Sequence, residues 1–138
     1  MTISKTTELG TINVSDLIFA QIIERSLRQT GCRDKVWPAT KKGRQIGNDA
    51  KVSAADIARE IEVEASSDGS NFELTFNVII KFGAGIRKIT DLLTDYISET
   101  VLNKNGRKPD LIRIRIVGVR SKNIAKRNLE VVKRYETL

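Results

Sequence analysis

Between Phe72 and Phe82 every second residue is bulky and apolar. Phe72, Leu74, Phe76, Val78, Ile80 and Phe82 alternate with Glu73, Thr75, Asn77, Ile79 and Lys81. A period of two is the signature of a strand with one face turned to a core, and a helix of period 3.6 cannot reproduce it. Such a strand needs sheet neighbours and a layer of cover. Upstream, Ile61, Val63 and Ala65 alternate with Glu60, Glu62 and Glu64, and the intervening 66–71 stretch has turn composition, so an antiparallel hairpin is predicted. Residues 10–14 and 111–119 read as further strands, the latter with Ile112, Ile114 and Ile116 opposed to Arg113 and Arg115. Val36-Trp37 is either a brief strand or a plug at the core edge, with Trp37 packed inward.

Helical spacing supplies the cover. Phe19, Ile22, Ile23, Ser26 and Leu27 fall on one side of a helix that Ser15 caps and Gly31 ends. Ile86, Ile89, Leu93, Tyr96, Ile97 and Val101 form the stripe of a second, longer helix ending near Gly106. Ser53-Ala-Ala-Asp56 reads as a capping-box variant opening a short helix to Arg59. The economical packing is an α+β two-layer sandwich. Its sheet is small, mixed or antiparallel, of three to four strands, and two main helices cover one face. That face carries Phe72, Phe76, Ile80, Ile112 and Ile114; the other shows Glu62, Glu64, Glu73, Lys81, Arg113 and Arg115. The 138 residues make one domain over 9–119, with a flexible tail at 1–8 and a basic extension at 120–138 that has helical potential.

Composition narrows the chemistry. The chain contains no histidine and one cysteine, Cys32. Ser–His and Cys–His nucleophile pairs, His metal ligands and intrachain disulfides are therefore excluded, and a cytoplasmic location is expected. No apolar run approaches the roughly 20 residues of a membrane span, and Met1–Leu9 lacks the order of a signal peptide. The net charge of +7 is unevenly spread. Residues 104–134 hold eleven basic and two acidic side chains, whereas 52–73 hold six acidic and one basic. A basic third of this kind suits an anionic partner or the acidic middle of the chain itself.

The chemical motifs are weak. Phe82-Gly-Ala-Gly-Ile-Arg-Lys88 sits where a phosphate loop would, yet matches neither the dinucleotide nor the Walker pattern, and a KH-type loop would need a helix before it. Ala54–Glu60 resembles the first helix of a helix-turn-helix, but 66–71 are poor formers of a second. Glu60, Glu62 and Glu64 could form a metal or general-base array on one strand face; pairing with Arg113 and Arg115 is the simpler expectation. No catalytic residue, cofactor or metal site is expected.

Three blocks in order resemble the alkaline shock protein family, small envelope-stress proteins of Gram-positive bacteria. They are Gly10-Thr-Ile-Asn-Val-Ser-Asp-Leu-Ile-Phe-Ala-Gln-Ile-Ile23, Asn77-Val-Ile-Ile-Lys-Phe-Gly-Ala-Gly-Ile-Arg-Lys-Ile89 and Ile112-Arg-Ile-Arg-Ile-Val-Gly-Val119. The resemblance implies a non-enzymatic cytoplasmic protein, able to self-assemble or to be held at the inner face of the membrane by a membrane-anchored partner. This chain departs in being basic at its C-terminal end and in segment 31–58. The expected function is therefore an envelope-stress-associated scaffold. Its partner contacts would be Arg113, Arg115, Arg120, Lys122, Lys126 and Arg127, meeting an acidic surface such as Glu60, Glu62 and Glu64 of another copy, with residues 111–119 as an exposed edge strand. The alternative is a nucleic-acid-binding module using the same basic residues.

Overall fold

The computed structural model describes residues 4–7, 10–48, 51–65 and 72–135, with side-chain surroundings from Asp16 onward, Asn105 apart. The alternating run forms the strand predicted for it. In chain order the elements are β1 (Ser4–Thr7), β2 (Gly10–Asn13), α1 (Val14–Gln29), β3 (Val36–Ala39), α2 (Ala54–Ala58), β4 (Glu62–Ala65), β5 (Phe72–Lys81), α3 (Ile86–Asn105), β6 (Leu111–Arg120) and β7 (Ile124–Arg134).

The fold is α+β, with a mixed five-stranded open sheet and three helices among the described residues. Strand β5 organises the sheet. One of its edges is shared: β4 pairs antiparallel with residues 72–75 and β3 with residues 77–80. Its other edge pairs parallel with β6, which α3 makes possible by crossing over between them. Strand β7 pairs antiparallel with β6 along its whole length and forms the outer edge.

Leu74, Phe76, Val78 and Ile80 of β5 join Ile112, Ile114 and Ile116 of β6 on one face. Phe19, Ile22, Ile23 and Leu27 of α1 and Ile89, Leu93, Ile97 and Val101 of α3 cover them. Phe72 extends this layer, its ring centroid 4.8 Å from that of Phe19. The uncovered face holds a second, smaller cluster, Trp37, Ala39 and Ile79, with Val117 against it. β5 is thus buried on both faces from Leu74 to Ile80. Helix α3 ends as the sequence indicates, at Gly106 in the left-handed region (φ 79°).

Several expectations need correction. The sheet has five strands rather than three to four. Within the basic extension expected at 120–138, residues 124–134 form not a helix but β7, the edge strand of the same domain's sheet. The reason lies in Leu129 and Val131. They pack on the core at a period of two, which outweighs a diffuse helical stripe, and the Ser121–Asn123 turn folds the chain back on β6. Within the expected flexible tail, Ser4–Thr7 form a strand that pairs with Gly10–Asn13 in a two-stranded sheet separate from the main one. Ser53 makes no side-chain cap bond. Phe82 lies past the end of β5 and is 73% exposed instead of closing the buried row. The expected turn at 66–71 and the side chain of Ser15 lie outside the described residues.

Phe76 is 2% exposed at the centre of the larger core. Phe76→Ala is expected to cost about 3–5 kcal/mol, a cavity-forming loss in a two-state fold. In urea titration this is a lower midpoint with an unchanged m-value.

Candidate binding surface

The uncovered face of the sheet places most of the sequence-predicted residues, and they engage one another first. In β6, Arg115 Nε lies 3.2 Å from Glu130 Oε1 of β7, and Arg115 Nη1 lies 3.9 Å from Glu62 Oε1 of β4. Arg113 Nε is 3.8 Å from Glu130 Oε2. Lys41 Nζ, from the loop after β3, reaches Glu62 Oε1 at 2.6 Å. The hydrogen bond from Lys41 is the main cause holding the Glu62 carboxyl below its ordinary value; burial opposes it, and the charges of Lys41, Arg115 and Arg113 add to it. Two of the expected partner-binding arginines and the central glutamate therefore form an internal network across four segments of the chain.

The remaining predicted residues separate. Glu60 is not on the strand face; it sits in the turn after α2, where its carbonyl accepts a long 3.5 Å bond from Asn77 Nδ2. Glu64 lies directly across from Glu73 in the β4–β5 ladder, two like charges at one corner. Neither has an ion-pair partner among the described residues. Lys126 and Arg127 are exposed on β7 and likewise make no ion pair among the described residues. Together with Lys41, Lys42 and Arg115 they border an open cavity of about 540 Å³ floored by Asn77, whose buried Oδ1 has no partner among the described residues. Lys122 is exposed in the β6–β7 turn. The expected exposed edge is also reassigned. β6 is interior, and the edge on that side of the sheet belongs to β7.

Arg120 occupies a different position. The registers of β5–β6 and β6–β7 both shift around Val117, a bulge that changes which residues of β6 face outward. Arg120 is thereby turned onto the uncovered face, where its guanidinium carbon lies 4.4 Å from the Trp37 ring centroid and Nη1 donates to Gln45 Oε1 at 3.3 Å. Gly118 beside the bulge is required by space. A Cβ there would lie 2.9 Å from Ile124 Cγ2 and 3.2 Å from Ile79 Cγ1. Sequence reasoning weighed Phe82–Lys88 only as a phosphate loop and Arg120 only as part of a basic strip; it did not join them with Arg33, Trp37 and Lys81, which line one groove of about 580 Å³. The signal available was Phe82 itself, one residue beyond a strand and before a glycine turn.

No protein-family model, curated protein or solved structure matches the chain at a significant level.

Because folding lowers the Glu62 pKa, this carboxylate contributes stability that is fully present above its unfolded value of about 4.5 and is lost as pH falls through the folded value. Glu62→Gln is therefore expected to flatten the fall in melting temperature of the native chain between about pH 5 and pH 3. A variant whose acid dependence matched the native chain's would show the network to be energetically idle.

Proposed function

We propose that this chain is a non-enzymatic binding protein that assembles head to tail, the β7 edge of one copy meeting the β4 corner of the next. One observation carries the reading: the two edges of the sheet have opposite charge. Strand β7 carries Lys126, Arg127 and Arg134, besides Lys133 paired with Asp91, against Glu130 alone, while β4 and the start of β5 carry Glu64 and Glu73 besides the internally paired Glu62. An eleven-residue edge strand with an unpaired outer side offers a ladder of backbone donors and acceptors. Its lysines and arginines oppose pairing with a second β7, because like charges would face one another across the junction. They favour the acidic corner instead, where Glu64 and Glu73 repel each other until a cation approaches.

The carboxylate array at Glu62 is held by ion pairs with Lys41 and Arg115, which supports binding over general-base work at that position. The resemblance to the alkaline shock proteins supports the same reading. It adds an envelope-stress role at the inner face of the membrane, through a membrane-anchored protein with an acidic surface or through the assembled chains themselves.

Light scattering coupled to size-exclusion chromatography tests this. The native chain is expected to form concentration-dependent oligomers at low salt that dissociate as salt rises, since the contact is electrostatic and exposed. Lys126→Glu with Arg127→Glu is expected to give monomers, and adding Glu64→Lys with Glu73→Lys to that variant to restore assembly. A native chain that stays monomeric at high concentration and low salt would overturn the proposal.

A further inference from the structure

The parallel pairing of β5 and β6 brings the C-terminal ends of both strands to one end of the molecule, beside the start of β3 and the first turn of α3. Phe82 stands at this end and is the most exposed of the exposed large hydrophobics among the described residues, at 73%. Its backbone is fixed by a 2.8 Å hydrogen bond from its N–H to the Arg120 carbonyl, so the ring is presented from a rigid strand end. Two grooves, of about 580 and 440 Å³, lie on either side of it and share Phe82 and Lys81. Each falls within the size range of small-molecule sites. Arg33 and Arg120 stand in the first, Lys35 and Lys88 in the second, and Asp34 is the one acid among the described residues lining either. Trp37, 7% exposed, lines the first groove, and its indole N–H has no acceptor among the described residues.

A protruding aromatic ring between two cationic grooves has a specific chemical complement. The grooves ask for anionic groups spaced on either side of a flat apolar unit that can lie against the ring. A flexible chain of phosphodiesters carrying planar bases meets all three requirements, whereas a rigid duplex hides its bases in the stack. The geometry points to this end of the sheet as a binding site for single-stranded nucleic acid. One base stacks on Phe82, and the phosphates to either side are held by Lys81 and by Lys35 with Lys88. The first turn of α3 adds to the second groove: it contains no acidic residue, and its N-cap, Gly85, makes no side-chain bond. Arg120 stacked on Trp37 stiffens the wall of the first. The site lies outside the edge-to-corner contact proposed above and does not depend on it. It also differs from the basic C-terminal third as a nucleic-acid surface, since the contacts come from the turn before β3, the end of β5 and α3.

The test is fluorescence anisotropy of a labelled twelve-nucleotide oligothymidylate with the full chain. Binding is expected at about 50 mM salt and is expected to weaken about twenty-fold at about 200 mM, the change for roughly three neutralised phosphates on a single strand. Trp37, the only tryptophan, should change its emission on binding. Phe82→Ala is expected to weaken binding at least about ten-fold, in line with the loss of one stacked base, while Phe82→Trp retains it. The exposed position of Phe82 predicts an unaltered melting temperature for both variants. Lys81→Glu with Lys88→Glu is an independent second variant expected to abolish binding. The proposal is overturned by absence of binding at the lower salt, by Phe82→Ala binding as the native chain does, or by a duplex of equal length binding as tightly as the single strand. Phe82-dependent binding to vesicles of anionic phospholipid, without binding to the oligonucleotide, would also overturn it and assign the same residues to a lipid surface.

Discussion

Burial of β5 on both faces is the constraint on which the rest of the structure depends. A strand at the centre of a small open sheet is commonly dry on one side only. Here Leu74, Phe76, Val78 and Ile80 are sealed by the two long helices, while Ile79 is sealed by Trp37, Ala39 and Val117 on the side that no helix covers. Each edge of β5 is also occupied, one by β6 and the other by β3 and β4 in succession. The division of one edge between two short strands gives the uncovered face two ends of different character. β4 brings glutamates to the start of β5, and β3 brings Trp37 with neighbouring Arg33 and Lys35 to its finish.

The charge pattern of the molecule follows from that arrangement. The acidic middle and basic C-terminal third of the chain do not neutralise each other wholesale. Among the described residues the two regions meet in one ion pair, Glu62 with Arg115; Lys41 also holds Glu62, and Glu130 holds Arg115 and Arg113 within the basic third itself. What is left over is sorted in space, with Glu64 and Glu73 at one corner and Lys126 and Arg127 along the far edge. Exposed ion pairs contribute little to stability individually. Their effect here is to fix which charges remain available to a partner.

Much of this was legible in the residues. The uninterrupted alternation at 72–80, the two helical stripes and the antiparallel hairpin of β4 and β5 each rest on a local period that tertiary packing had no reason to override. The pairing of Arg115 with Glu62 was likewise readable, because both lie on the polar faces of periodic strands, which β5 separates by one strand. Three features were hidden for physical reasons. β7 has highly exposed residues and only Leu129 and Val131 tucked against the core, so its period is faint in sequence and set by hydrogen bonding to β6. The bulge at Val117 reverses the facing of Arg120 through a backbone irregularity that no side-chain pattern announces. The cluster around Trp37 and Phe82 draws on β3, β5, β6 and α3, elements remote in sequence that only the parallel crossover brings together.

Amide hydrogen exchange on the native chain reports most directly on the central strand. With both faces dry and both edges paired, the amides of residues 74–80 should exchange only through global unfolding, among the slowest in the molecule, while the outward-facing amides of β7 exchange by local opening. Exchange at 74–80 as fast as that at the β7 edge would contradict a doubly buried β5, and with it the sorting of charge and the grooves at its end.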